Sequence, residues 1–169
     1  MPGTPSIHDF LRGAHLPYVV IPHLPAFTAQ DEAAAMHVSG RNWAKVVICF
    51  VDDRAIEAVV PATMTVNLER LRALARGDSI RLADERELAL LFPDCEPGAM
   101  PPFGPLYGQD VYVDIGLVAV EEIAFNAGTH TEAIRMRWPD FAASIRPIVG
   151  KFAETHLDKV GEYRLSYRE

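Results

Sequence analysis

The chain has 169 residues, of which 49% are hydrophobic and 23% are charged. This composition is typical of one globular domain and excludes a disordered or low-complexity chain. The net charge of -7 argues against a dedicated duplex-DNA binder, which usually carries a basic surface. No apolar run approaches the roughly 20 residues that a membrane-spanning helix needs, and no secretory signal is evident, so we expect a cytoplasmic protein without a membrane partner.

The first part of the chain predicts two helices and three strands. Residues 6–14 place apolar side chains on one helical face, and the run YVVI at 18–21 is bounded by prolines as a strand often is. Thr28 opens a second predicted helix, TAQDEAAAMHV, in a pattern that resembles a capping box. Residues 43–53 and 55–62 are apolar, β-branched runs, and the polar residues between them predict a hairpin.

Helix caps mark the middle of the chain. Asn67 is placed to cap the helix LERLRALAR, which Gly77 is expected to close. The run SIRL then predicts a short strand. Asp84 and Glu87 have the spacing of a capping box for the helix ERELALLF, which Pro93 stops.

The last third predicts three strands and a helix. The runs DVYVDIG, EEIAFNAG and TEAIRMRW have the apolar and alternating patterns of strands. The segment from Trp138 to His156 reads as a helix that Pro147 and Gly150 should kink or split. Together these elements predict an α+β fold in a single domain spanning residues 1–169. It has about six or seven strands and four or five helices, which flank a mixed, mainly antiparallel central sheet.

Common catalytic signatures are missing from the chain. It contains no G-x-S-x-G, no P-loop and no H-E-x-x-H. The six histidines are scattered, and neither cysteine has a neighbouring ligand at metal spacing, so we expect no metal site and no cofactor. Cys49 lies in an apolar run, and the acidic neighbours of Cys95 are unfavourable for a reactive thiolate.

The stretch CEPGAMPPFG, residues 95–104, has the composition of a rigid loop. Gly98 and Gly104 allow backbone geometry that other residues avoid and the close approach of a ligand. The three prolines reduce the entropy cost of ordering the segment before anything binds. A rigid loop that presents backbone N–H groups can stabilise an oxyanion without charged side chains. A purely structural turn would have the same composition.

Lys45 stands inside the apolar run WAKVVICF, where a buried cation is costly unless an anion compensates it. One interpretation is a lysine at the start of a strand whose ammonium reaches water. The other is a cation on the floor of a pocket, facing the glycine-proline loop across a small cavity, where it meets a phosphate or a developing oxyanion.

The order of HLPAFTAQDEAAA, WAKVVI, EPGAMPPFG, VYVD and NAGTHTEAIRM resembles the YbaK-like family, the free-standing relatives of the editing insertion domain of bacterial prolyl-tRNA synthetase. The resemblance covers roughly residues 18–150. Its most specific features are a lysine on an early strand, matched by Lys45, and a G-x-x-x-P loop, matched by Gly98 to Pro102.

This resemblance implies a trans-editing aminoacyl-tRNA deacylase that hydrolyses the ester of a small mischarged amino acid. Pockets separate amino acids that differ by one methylene by only about 1–3 kcal/mol, so a second sieve is needed. The partner would be the acceptor end of the mischarged tRNA, with an aminoacyl-tRNA synthetase as a further partner. The implied catalytic residues are Lys45 and the backbone around Gly98, Ala99 and Met100. The implied substrate-binding residues are Thr28, Pro101, Pro102, Phe103, Gly104 and His130.

Three functions remain open at this point: the deacylase, a non-catalytic module that docks on tRNA or a synthetase, and a small-molecule esterase or amidase. Alanine, serine, threonine and 2-aminobutyrate are all plausible amino acids. Met100 stands where many relatives have a smaller or more polar residue, so we expect it to narrow the amino-acid pocket. Thr28 and His130 also have structural interpretations, as a helix cap and as a polar strand residue.

Overall fold

The computed structural model describes residues 6–24, 33–34 and 38–155. Within these ranges four α-helices form, namely α1 (Ile7–Gly13), α2 (Leu68–Ala75), α3 (Glu85–Leu91) and α4 (Trp138–Ile145). The strands are β1 (Tyr18–Pro22), β2 (Ala44–Val51), β3 (Arg54–Pro61), β4 (Thr65–Val66), β5 (Ile80–Leu82), β6 (Asp110–Asp114), β7 (Glu122–Asn126), β8 (Glu132–Arg137), β9 (Ile148–Gly150) and β10 (Ala153–Glu154). The helix predicted from Thr28 lies largely outside the described residues.

The strands form one large and two small sheets. The large sheet has the order β5-β2-β3-β6-β9, in which β5, β2 and β3 pair antiparallel while β3, β6 and β9 pair parallel. A three-stranded antiparallel sheet has the order β1-β8-β7, and β10 pairs with β4. The predicted α+β fold with a mixed, mainly antiparallel sheet is therefore confirmed.

Two predicted helix caps and the predicted hairpin form as expected. The Asn67 side chain accepts a hydrogen bond from the Arg70 N–H and caps α2. Asp84 and Glu87 form the predicted capping box at the start of α3. The β2–β3 hairpin closes through the pair Val51 and Arg54.

The C-terminal helix was predicted too long. It ends at Ile145, Arg146 adopts a left-handed conformation, and residues 148–150 and 153–154 are strands rather than helix. Pro147 cannot donate an N–H to a continuing helix, and pairing of β9 with β6 supplies backbone partners instead. Similarly, Arg76 rather than Gly77 is the left-handed residue that ends α2, and β6 stops at Asp114 before a 3₁₀ turn, Ile115–Leu117.

The large sheet is covered on both faces. One face, here called the α2 face, carries Val60 and Cys49 and packs against α2 and Phe152. The opposite face, here called the loop face, carries Val59 and Val113 and packs with α1, α4 and the smaller sheet. Because alternate residues of a strand point to opposite faces, this division assigns a face to every residue of β2 and β3.

Candidate functional site

A tight turn forms the centre of the glycine-proline loop. The Ala99 N–H donates to the Glu96 carbonyl oxygen at 3.0 Å, and Gly98 has a φ of 82°. Proline at the second position and a residue with positive φ at the third are the features of a type II turn, where glycine is strongly preferred. The sequence EPGA therefore fixes this turn, with Gly98 exposed at its tip.

The turn is clamped to the connection between β7 and β8. The Glu96 N–H donates to the Gly128 carbonyl at 2.8 Å, and the Gly128 N–H donates to the Ala99 carbonyl at 2.9 Å. The carboxylate of Glu96 also accepts the His130 backbone N–H at 3.1 Å. Two segments about 30 residues apart in the sequence are thus joined through main-chain groups, which makes the turn rigid.

His130 lies against the tip of the turn. Its Nε2 is 2.8 Å from the Pro97 carbonyl oxygen, and a Cβ added to Gly98 would lie 3.6 Å from its Cε1. A carbonyl oxygen only accepts hydrogen bonds, so we assign a proton to Nε2. The structure therefore brings together two of the predicted site residues, Gly98 and His130.

The rest of the loop is anchored in the core. Met100 is buried with Ile48 and Phe92, so its side chain packs into a hydrophobic cluster. Phe103 is fully buried, with its ring centroid 5.5 Å from those of Phe125 and Phe141. Three further predicted site residues are buried alongside: Pro101, Pro102 and Gly104.

Because of this anchoring, the side chains of the loop and its main-chain N–H groups have different roles. The side chains of Met100 and Phe103 hold the loop in place. The Ala99 N–H is already used to close the turn. Among the described hydrogen bonds, the N–H groups of Gly98, Met100 and Gly104 have no protein acceptor. Gly104 faces the buried Glu57, so the amides next to the turn are those of Gly98 and Met100.

Lys45 lies near the start of β2, directly opposite Val60 of β3. Its ammonium is partly buried and donates to the Met64 carbonyl oxygen at 2.5 Å. Met64 follows the end of β3 in a turn closed by its N–H to the Pro61 carbonyl. The lysine is thus held at the end of the large sheet by a neutral carbonyl group.

The strand register shows from which face of β2 the Lys45 side chain leaves the large sheet. Lys45 shares the α2 face with Val60, whereas Met100 and Phe103 pack on the loop face. Alternate residues of β2 point to opposite faces of the sheet. The backbone of β2 therefore lies between the Lys45 side chain and the residues that pack on the loop face.

The start of β2 nevertheless lies beside the β7–β8 connection. Trp43 forms a parallel bridge with Ala124, so β7 runs in the same direction as β2 at this point. Two residues further along each strand are Lys45 and Asn126, and the connection that holds the loop begins directly after Asn126. The lysine and the loop therefore belong to the same end of the molecule, on different faces of one strand.

Thr28, the remaining predicted site residue, lies outside the described residues. The structure also identifies residues that the sequence interpretation missed. Glu96 and Gly128 clamp the loop, and Glu57 is a fully buried acid on the loop face of β3. An acid inside the apolar run AIEAVVPA is the same kind of signal that singled out Lys45, and it could have been noticed.

Burial changes the acid–base behaviour of groups beneath the loop. It raises the pKa of Glu57 well above its ordinary value, and it raises the pKa of the Cys95 thiol and the Tyr107 hydroxyl. Cys95 Sγ and Tyr107 Oη lie 3.4 Å apart. The raised pKa of Cys95 favours the thiol over the thiolate, so Cys95 is a poor nucleophile.

The described residues contain no group of three or more metal-ligating side chains placed to hold an ion. In the same part of the chain, no helix is long and apolar enough to cross a membrane.

Comparison with known proteins gives a consistent family and fold. A family model for the aminoacyl-tRNA editing domain matches residues 23–143. A hypothetical protein, APE2540, superposes with a TM-score of 0.79 at 19% identity, covering 88% of this chain and 99% of its own. A candidate trans-editing enzyme for prolyl-tRNA synthetase superposes with a TM-score of 0.75 at 23% identity, covering 91% and 98%. At these identities the solved structures establish the fold alone. No protein of curated function matches the chain significantly.

Proposed function

Since the chain belongs to the aminoacyl-tRNA editing domain family, in its YbaK-like branch, we propose that it hydrolyses the ester between a small mischarged amino acid and tRNA. It acts in trans, on aminoacyl-tRNA released from the synthetase or held beside it. The observation that supports this most strongly is the clamped type II turn, which holds Gly98 at an exposed tip beside His130.

The turn supplies what ester hydrolysis requires. Water attacks the carbonyl carbon of the ester, and the carbonyl oxygen becomes negatively charged in the tetrahedral intermediate. The bond from that carbon to the ribose oxygen then breaks, and the ribose oxygen takes up a proton. We assign the oxyanion to the N–H groups of Gly98 and Met100, with Ala99 holding the turn through its own N–H. Removal of one such donor typically costs a factor of about 10²–10³ in rate.

His130 is placed to contact the substrate at this point. Its ring is held against the turn by the Pro97 carbonyl, so the edge of the ring lies beside Gly98, where we propose that the ester binds. Glu96 supports the same arrangement by accepting the His130 main-chain N–H. The pair therefore positions the reactive part of the substrate next to Gly98.

Lys45 is assigned to the nucleotide rather than to the ester. Its ammonium is at the end of the large sheet, on the other face of β2 from the loop anchors. An acceptor end that passes over this end of the sheet would bring its terminal phosphate to Lys45 while its ester reaches the turn. Exchange of a carbonyl partner for a phosphate is favourable, because hydrogen bonds between charged groups are about twice as strong as neutral ones.

The amino acid is small, with alanine, serine, threonine and 2-aminobutyrate as candidates. The tRNA acceptor end is the partner, and a synthetase is the second partner that we propose. The reaction takes place in the cytoplasm and uses no cofactor, because an aminoacyl ester is already activated towards water.

The experiment is a deacylation panel over several mischarged tRNAs with Lys45→Ala and a matched control, Lys151→Ala. Lys151 is an exposed lysine away from the loop. Loss of the terminal-phosphate contact should lower kcat/KM at least about tenfold for Lys45→Ala, mainly through KM, and leave Lys151→Ala unchanged.

Unchanged turnover by Lys45→Ala would remove this residue from the mechanism. Tight binding of intact aminoacyl-tRNA without loss of the ester would instead support a binding module. Equal activity on free amino-acid esters and on tRNA esters would favour a small-molecule esterase.

A further inference from the structure

Glu57 is an acid in the centre of the large sheet. It lies in β3 between Ile48 of β2 and Val111 of β6, and it is 0% exposed. Neither carboxyl oxygen forms a hydrogen bond. A buried carboxyl group without partners is costly even when neutral, and much more costly when charged. Such a residue needs a physical explanation.

The carboxyl group lies beneath the end of the glycine-proline loop. The main-chain N–H of Gly104 faces it without reaching hydrogen-bond geometry and offsets the effect of burial only in part. A Cβ added to Gly104 would lie 2.5 Å from the Gln109 carbonyl oxygen and 2.7 Å from Val111 Cγ2. The loop backbone is therefore pressed directly onto the start of β6, beside Glu57.

The groups that surround Glu57 do not compensate a negative charge. On the loop side the Cys95 thiol and the Tyr107 hydroxyl are near enough for a Glu57 charge to contribute to their raised pKa values, after burial. The strand neighbours Ile48 and Val111 are apolar. Gln109, at the start of β6, is buried and its side-chain amide makes no hydrogen bond. No basic side chain of the described ranges is close enough to oppose the burial effect.

We propose that Glu57 is a positioning residue for the glycine-proline loop: uncharged, it lets Gly104 rest on β6, and its ionisation releases the loop. The released loop no longer aligns the Gly98 and Met100 amides. The catalytic consequence depends on the proposed deacylase function, whereas the release of the loop does not.

The direction of the pH effect follows from linkage. The pKa of Glu57 is raised in the folded protein, so its contribution to stability is complete below the unfolded pKa of about 4.3 and is lost as the pH rises through the folded value. Burial raises the pKa values of Cys95 and Tyr107 in the same direction, so these two groups also favour their neutral forms.

The first experiment is amide hydrogen exchange of residues 96–108, with wild type and Glu57→Gln compared at the same pH. As the pH rises above the ordinary carboxyl range, we expect exchange in wild type to become at least about threefold faster than in Glu57→Gln. Glu85→Gln, which changes an exposed acid in the first turn of α3 outside the loop, should follow wild type in this ratio. Equal exchange in wild type and Glu57→Gln at every pH would overturn the proposal.

The second experiment is the pH profile of deacylation, corrected for spontaneous ester hydrolysis. Glu57→Gln should retain activity at the alkaline end of the profile, where wild type falls several-fold. An identical alkaline decline in both proteins would also overturn the proposal. If Glu57→Gln does not fold, Glu57→Leu replaces it, since leucine is likewise uncharged. If no tRNA substrate is hydrolysed at all, the proposed function fails, and hydrogen exchange still decides the role of Glu57.

Discussion

Gly98→Ala tests the backbone conformation of the turn without disturbing how the turn packs. The added Cβ would lie 3.6 Å from the His130 ring, which is ordinary contact, so there is no clash. The cost is conformational, because Gly98 has a φ of 82° and a left-handed residue with a Cβ is disfavoured by about 1–2 kcal/mol. The turn can escape this strain by becoming type I, and the peptide that carries the residue 98 N–H then rotates away.

Either outcome lowers the population of the competent turn. A penalty of about 1–2 kcal/mol changes an equilibrium about 5–30-fold, and we expect kcat for deacylation to fall by a similar factor with little change in KM. Single-turnover hydrolysis of the best mischarged tRNA measures this directly. Gly98→Asn should retain more activity than Gly98→Ala, because asparagine tolerates positive φ better.

Gly108→Ala is the matched control. Gly108 has a φ of 70°, and a Cβ there would meet nothing within 4 Å. Both substitutions should lower the melting temperature by a similar amount, about 2–8 °C for a chain of this size. Only Gly98→Ala should lose activity. If its rate stays within about twofold of the Gly108→Ala rate, the turn does not position a catalytic donor.

Two stability predictions follow from contacts outside the loop. Asn67→Ala should destabilise the protein by about 1 kcal/mol or more through loss of the α2 cap. The substitution also removes the hydrogen bond of 2.9 Å that the Asn67 amide donates to the buried Glu154 carboxylate. Denaturant unfolding measures the combined loss of stability, and an unchanged midpoint would contradict this role of Asn67. The Arg81 guanidinium lowers the pKa of Glu87 to about 2. The pair therefore stabilises the fold above the unfolded pKa of Glu87, and this stabilisation is lost towards pH 2. Wild type and Glu87→Gln should differ in melting temperature near pH 6 and have the same melting temperature in acid. A difference that persists in acid would refute this role of the pair.

Features that depend on neighbouring residues could be predicted from the sequence. The Asn67 cap, the Asp84–Glu87 box and the β2–β3 hairpin each depend on signals within a few residues, and all three form as expected. The glycine-proline loop was also recognisable, because proline followed by glycine specifies a turn type by local sterics alone.

Features that depend on distant pairing could not be predicted in the same way. Residues 148–150 form a strand because β6 offers a partner, and their own sequence does not reveal this. The face from which Lys45 leaves β2 depends on which residues of β3 oppose it. The docking of Glu96 on Gly128 and His130 likewise joins segments whose proximity only the fold decides.

The position of Phe103 has a consequence for how the protein loses activity on heating. Its ring contacts Phe10 of α1, Phe125 of β7 and Phe141 of α4, so one loop residue is packed against three separate elements of the fold. While Glu57 is uncharged, a loop held in this way has no melting transition of its own. Thermal inactivation and global unfolding should therefore coincide. Substitutions in the hydrophobic interior should change the position of the loop as much as substitutions on the surface do.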